Sequence, residues 1–339
     1  MHSKNCSDVS SRPGLLRLRR ERRPDSMTPI YRHTICQAIE ELECGMPGWE
    51  QRYHPVAPGG SLGEISRLDF GTLSLYREEM QRLTLNSFLM PEGHLAVYFL
   101  LGGAEGGGSS VLEAGFAMTP RWLTMLQRPG VRCVSVELAA DLLPAAMEAG
   151  ADVACSGVFD HAPRGAIAQT GQWIDFLVSP TNGAYSRSNA SLLAIAPGLI
   201  TDRLTLWFEE RVWARKRRQG TARAFAATLD WLAAAEAVDM SVTQLSAATG
   251  FDSRTLRRAS MAEAGLGLDR LLTMQRLNLA RRALIIAREA GAREKGAKVS
   301  DIALDHGFPH WGRFAGQYRA MFGERPTDTL RGRLALAEE

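Results

Sequence analysis

Residues 299–330 read VSDIALDHGFPHWGRFAGQYRAMFGERPTDTL, and their spacing decides the fold of the last third of the chain. Ile302-Ala303 supplies the apolar face of a first helix, and Gly307 stands where a helix C-cap turns the backbone. Beyond it, Phe314, Tyr318 and Phe322 recur four apart, which makes one apolar stripe on a second helix that Gly323 closes. Helix, glycine turn and helix together form a helix-turn-helix unit. The same order occurs upstream. Leu245, Gly250, Phe251, Leu256 and Gly265 align with Ile302, Gly307, Phe308, Phe314 and Gly323, offset by 57 residues up to the Gly-Phe pair and 58 after it. The unit is present twice.

Between the copies, Asp269 to Ala287 reads as one helix with Leu271, Leu272, Leu277, Ala280 and Leu284 on its buried side. At about 1.5 Å per residue it spans roughly 28 Å. Two recognition helices held that far apart suit successive major grooves on one face of a duplex, where the repeat is about 34 Å. On the first of them Arg254, Arg257 and Arg258 face outward, while Leu256 and Ala259 turn in. Arginine in that position donates to guanine O6/N7 or to phosphates; a solvated basic face is the plainer alternative. On the second, His310, Trp311, Arg313 and Gln317 hold the equivalent place, with Trp311 equally suited to core packing. Arg281, Arg282, Arg319 and Arg331 are candidates for phosphate contact or simply for solvated charge.

Charge follows the same division. Residues 1–26 carry seven basic and three acidic side chains, residues 27–214 twelve and twenty, and residues 215–339 twenty-one and fourteen. A basic C-terminal third beside an acidic middle points to a polyanion-binding module joined to something else. Only four of the 40 basic residues are lysine, and the planar guanidinium suits phosphates and base edges. No run of 18 uncharged apolar residues exists, so a membrane partner is not expected. Five cysteines, odd in number and without a C-x-x-C pair, disfavour zinc sites and a disulfide framework; reduced thiols in a cytoplasmic protein are the simplest expectation. Residues 1–26, rich in Ser, Arg and Pro, read as disordered or as an over-extended reading frame with Met27 as the start.

The stretches LSAATGFDSRTLRR, RLNLARRAL and the quoted 299–330 resemble the arabinose-regulator (AraC) family of bacterial transcription regulators, over about residues 223–333. Arg276, Leu277 and Ala280 match that family's linking helix. The GRFAGQYRAMFG segment is similar to the ethanolamine-operon activator branch. The sequence departs from the family at Ser260, where Phe is usual, and at Gly267-Leu268, where Ser-Pro is usual. Gly312 and Gly316 leave few side chains on the second recognition helix to read bases. The resemblance implies an effector-responsive activator with three partners: double-stranded promoter DNA, RNA polymerase and a small-molecule effector of unknown identity. It leaves a homodimer open and implies no cofactor and no metal.

The expected fold class is a multidomain α+β chain. An antiparallel β-sheet or barrel with helices occupies residues 27–214. A basic linker follows at 215–222, and an all-α tandem helix-turn-helix domain at 223–336. After a short helical pattern at Tyr31–Glu43, strands are expected at Leu62–Tyr76, Arg82–Leu89, His94–Leu101, Val111–Met118 and Val131–Leu138. From Ala139 to Ala214 the pattern turns helical, interrupted by a loop at Ser179–Asn189 and ending in a helix over Ile200–Arg211. Gly59–Gly63 fits G-x-S-x-G, but Pro-rich sequence precedes it and strand-like sequence follows, so it reads as a turn and not a nucleophile elbow. Gly102–Gly108 reads as a loop, and His94 as structural. Trp49, Tyr53, Tyr98, Phe116 and Trp122 suit either a ligand pocket or a core. The rival class, a metabolite enzyme tethered to DNA by its helical tail, requires a metal or nucleophile constellation, and no such set is visible in the sequence.

Overall fold

The computed structural model describes residues 29–59, 62–103, 109–119, 122–152, 156–159, 163–181, 183–214, 220–234, 240–291 and 298–332. Residues 1–26, Gly60 and Ser61 of the G-x-S-x-G stretch, Gly106–Gly108 of the glycine-rich stretch and the basic run 215–219 lie outside them. The first half contains β1 (Ile30–Cys36), α1 (Ile39–Glu43), β2 (Glu50–Pro55), β3 (Gly63–Asp69), β4 (Leu73–Met80) and β5 (Thr84–Leu89). Then come β6 (His94–Gly103), β7 (Ser109–Met118), β8 (Leu123–Gln127) and β9 (Val131–Ala139). A 3-10 turn at Ala140–Leu142 leads into α2 (Pro144–Asp152), β10 (Ser156–Val158), α3 (Arg164–Val178), α4 (Ala184–Ser188) and α5 (Ala190–Glu209).

Two antiparallel sheets face each other. One has the order β1-β3-β4-β9-β6-β7-β10, the other β2-β5-β8. Alternation along each strand sorts side chains between two cores. Leu75, Val97, Phe99, Val134 and Val136 point from the large sheet toward α3 and α5, where they meet Ile174, Leu177, Ile200, Leu204 and Trp207. Their neighbours Tyr76, Met80, Ala96 and Ala117 point the other way and pack with Tyr53 and Trp49 between the sheets. The buried Arg77, on the helix side, is matched by Glu64, Glu79 and Asp175. Asn189 caps α5 by accepting from the Leu192 amide at 3.0 Å.

The strand-rich reading of the N-terminal part holds, with corrections. Tyr31–Glu43 is not one helix: Ile30–Cys36 is an edge strand paired with β3 from Ile30↔Asp69 to Cys36↔Gly63, and only Ile39–Glu43 is helical. The single candidate Leu62–Tyr76 is two strands, β3 and β4, split by a turn that the Asp69 carboxylate holds through the Gly71 amide at 2.7 Å. Strands β2, β8 and β10 escaped the sequence reading. The expected loop Ser179–Asn189 contains α4, and the helix expected at Ile200–Arg211 begins at Ala190.

The described residues after 219 form α6 (Gly220–Ala234), α7 (Val242–Thr249), α8 (Ser253–Ala264), α9 (Leu268–Glu289), α10 (Val299–Asp305), α11 (Trp311–Phe322) and α12 (Pro326–Arg331). Their core is built from Leu229, Leu245, Leu256, Leu271, Leu277, Phe314 and Tyr318. It also takes in Val56 and Leu85, both fully buried, from the small sheet. The β-rich part and the helices therefore share one apolar contact.

Candidate nucleic-acid interface

Helices α7 and α8 form one helix-turn-helix unit, α10 and α11 the other, and α9 joins them. In α7, Ser241 and Gln244 make a reciprocal capping box, and in α8 the Asp252 carboxylate accepts from the Thr255 amide at 2.9 Å. That amide bond, with the Thr255 hydroxyl, holds the Asp252 carboxyl below its ordinary range. Both turns begin at a glycine in the left-handed region, Gly250 at φ 72° and Gly307 at φ 74°, where a Cβ would strain the backbone. With 22 residues, α9 is about 33 Å long, close to one turn of duplex DNA.

Leu256 and Ala259 are fully buried, while Arg254, Arg257 and Arg258 are exposed, as the spacing predicts. Arg257 is engaged by Asp269 at the start of α9, an exposed pair of small energetic weight that a phosphate or base edge can displace. Ser260 replaces the expected Phe without leaving a hole: it is fully buried, and its hydroxyl donates to the Leu266 carbonyl at 2.7 Å.

In the second unit the aromatic ladder runs Phe308, Phe314, Tyr318, Phe322, with centroid separations of 5.0, 5.5 and 4.6 Å. Trp311 sits over Phe314 at 5.9 Å yet keeps 44% of its surface, so it is neither wholly core nor wholly free. His310, Arg313, Arg319 and Arg331 are exposed and Gln317 is half-buried.

Arg281 and Arg282 are placed differently from the other candidates. Arg281 is buried and Arg282 half-buried. Arg281 is 8% exposed and lies between Glu40 of α1 (2.6 Å) and Glu324 (3.3 Å). Arg282 bonds Glu43 of α1 at 2.9 Å. Around them, the Asn278 amide donates to the Pro55 carbonyl at 2.9 Å, and Arg82 donates to the Met321 carbonyl at 3.1 Å. Burial and the adjacent Arg281 push Arg82 down to about 10. The sequence holds no signal for this contact, because its acidic half comes from α1, some 240 residues away.

The pocket candidates divide. Trp49 and Tyr98 line a small cavity between the sheets, and Tyr53 donates to Glu78 beside it. Phe116 lies on the opposite face against Phe159 and Phe208, and Trp122 stacks on Arg52 at 4.7 Å. His94 lies 2.8 Å from Glu137. Glu78, which lines that cavity, and Glu137, which accepts from Trp49, were not singled out in the sequence. Among the described residues no group of His, Cys, Asp and Glu is arranged to hold a metal ion, and no helix is long and apolar enough to cross a membrane.

Residues 245–332 match the family described as a helix-turn-helix domain. The XylDLEGF operon transcriptional activator of Pseudomonas putida is 64% identical over 33 residues, which is 10% of this chain and 10% of that protein. The chain thus spans about a tenth of the length of the curated relatives it matches. A probable AraC family transcriptional regulator from Rhodopseudomonas palustris is 30% identical over 32% of this chain and 96% of its own, with a TM-score of 0.28. ToxT from Vibrio cholerae is 9% identical over 85% of this chain and 99% of its own, also with a TM-score of 0.28. The helix-turn-helix match runs from within α7 to the end of α12, and so takes in both units and the helix between them.

Proposed function

We propose that the chain is a cytoplasmic, sequence-specific DNA-binding transcription regulator rather than an enzyme. One observation carries the reading: two helix-turn-helix units, each turned at a left-handed glycine and each with an outward basic recognition helix, are joined by a 22-residue helix that matches one duplex turn. Arg254, Arg257, Arg258, His310, Trp311, Arg313 and Gln317 are the base-reading candidates, and Arg319 and Arg331 the phosphate contacts. Arg281 and Arg282 join the phosphate set only when α9 parts from α1, because neither guanidinium can hold Glu40 or Glu43 and a phosphate at once.

Residues 27–214 act as a sensor and 223–336 as the DNA-binding domain, with 215–222 between them. Activation through RNA polymerase is the mode that the sequence resemblance favours. A homodimer is supported by an exposed apolar stripe on α5, formed by Ile195, Leu199 and Leu206. The enzyme reading gains nothing from the comparisons.

The test is binding of the full chain to the DNA upstream of its own gene and neighbouring genes, against scrambled DNA, across a salt series. A footprint of about two helical turns, with scrambled DNA weaker by about a thousandfold or more, is the expected result. Equal affinity for both, set by salt alone, would overturn sequence-specific regulation.

A further inference from the structure

The face of the large sheet that meets the small sheet carries charges that stability alone does not call for. Glu78 of β4 and Glu137 of β9 are 5% and 4% exposed, in a mainly apolar layer whose rings are Trp49, Tyr53, Tyr76, Phe88 and Tyr98. The two carboxylates are provided for unequally. Glu137 accepts from Trp49 Nε1 at 3.0 Å and Tyr76 Oη at 2.8 Å, and His94 stands 2.8 Å away. Burial pushes Glu137 up, but those three donors outweigh it and hold the carboxyl below its ordinary range. The Glu78 carboxylate accepts from Tyr53 Oη alone, and among the described residues no cation pairs with it. Burial drives it up to about 7. A buried carboxylate with one donor is costly, and a cation is the partner that would repay the cost.

The surroundings specify which kind. Trp49, Phe88, Tyr98 and Cys133 line the cavity beside Glu78, and the Trp49 and Phe88 rings lie 5.5 Å apart. Gly115 leaves room for the Tyr98 ring: a Cβ there would stand 2.7 Å from its hydroxyl. Aromatic faces around an anion attract an ammonium group by cation–π contact. The cavity volume is about 10 Å³, room for one water-sized group, which fits a primary ammonium head and not a quaternary one. Phe88 and Leu123 are the lining residues only half-buried, so the remainder of such a ligand lies between them.

We infer that the sensor takes a small primary amine, its ammonium paired with Glu78 and faced by Trp49, Phe88 and Tyr98. The inference rests on the sensor reading of residues 27–214, but its test needs no DNA. Failure here leaves the regulator standing, and failure to bind DNA leaves the amine site standing.

The probe is propylammonium chloride, titrated calorimetrically into the full chain at pH 8 and constant ionic strength. Propanol, sodium propionate, potassium chloride and tetramethylammonium chloride serve as comparators. Saturable heat from propylammonium alone is expected. Glu78→Gln should weaken binding at least tenfold, and Phe88→Leu, which leaves the carboxylate in place, about three- to fivefold. Affinity should rise about tenfold per pH unit up to about pH 7 and then level off, as Glu78 loses its proton. The titratable groups near Glu78 are Cys36 from β1, Tyr53 from β2 and Cys133 from β9, with Glu113 of β7 close to Cys133; burial and the nearby carboxylates push all three up, so none ionises in that range. Equal response to potassium or propanol, a tighter response to tetramethylammonium, or unchanged affinity in Glu78→Gln would each overturn the assignment.

Discussion

Replacing Glu78 with glutamine removes a charge that the space between the sheets holds at a cost, and that cost can be worked out. An ordinary glutamate titrates near 4.5, and burial moves Glu78 to about 7. Raising a carboxyl's pKa by one corresponds to about 1.4 kcal/mol, so the ionised form penalises the folded state by about 3 kcal/mol. The sign follows from which state binds the proton more tightly. The folded state does, so Glu78 costs nothing below pH 4.5, where both states are protonated. Stability is lost as pH rises from 4.5 through 7, and the full penalty applies above. Glutamine keeps an acceptor for the Tyr53 hydroxyl and carries no charge.

The Glu78→Gln chain should therefore match the parent near pH 4.5 and exceed it by about 3 kcal/mol at pH 8, in the absence of any amine. Urea denaturation followed by circular dichroism at the two pH values reads this difference directly. His54, which burial and the nearby Arg282 and Arg52 push down to about 3, titrates in both proteins and drops out of the comparison. Equal stability at both pH values, or a variant weaker at pH 8 than its parent, would refute the argument that Glu78 is an uncompensated buried carboxylate.

Three further outcomes are expected. Arg254→Ala or Arg257→Ala should cost about 1–3 kcal/mol in operator binding and relax specificity at one base pair, measured by competition with single-substituted operators; a uniform loss on every sequence would reassign that arginine to phosphate. The double variant Glu40→Gln, Glu43→Gln releases Arg281 and Arg282 from α1, so DNA binding should tighten and the slope of log affinity against log salt should steepen by about 1–2. An unchanged slope would remove both from the phosphate contacts. Phe314 is fully buried in the aromatic ladder, and Phe314→Ala should cost about 3–5 kcal/mol of stability; an unshifted thermal transition would contradict its place in the core.

The helix-turn-helix units were legible because their determinants are local. Gly250, Gly307 and Gly323 stop helices by backbone conformation, Asp252 starts one, and the four-residue spacing of Phe314, Tyr318 and Phe322 marks a buried face. The edge strand β1 was not legible for the opposite reason. Its side chains are exposed or half-buried except Cys36, Ile35 is 61% exposed, and its apolar positions fit a helical spacing as well as an extended one. Only its partner β3, some thirty residues on, decides the matter. Glu78 is hidden in the sequence because Arg77-Glu78-Glu79 reads as a solvated charge run. Its signal is the period of two: with Leu73 and Leu75 on one face, Tyr76, Glu78 and Met80 must share the other, which puts a carboxylate into an apolar layer. The contact of Arg281 and Arg282 with α1 has no such local signature, since both partners are ordinary charged residues on helices.

Strand β2 brings the cavity and the α9 contact within two residues of each other. The Tyr53 hydroxyl serves Glu78, and its amide donates to the Glu43 carboxylate at 3.4 Å. Glu43 in turn bonds Arg282. Two residues along, the Pro55 carbonyl accepts from Asn278 of α9. A cation that draws the Glu78 carboxylate toward itself acts on the same tyrosine whose backbone helps to hold Glu43 against α9. Proximity alone is not coupling, and linkage supplies the criterion. If an amine changes the affinity for operator by some factor, operator must change the affinity for the amine by the same factor. Calorimetric titration of propylammonium into the chain alone and into its operator complex should therefore give unequal constants. Their ratio should equal the change in operator affinity that the amine produces. Equal constants would mean that the cavity and the DNA-binding helices act independently, however close β2 brings them.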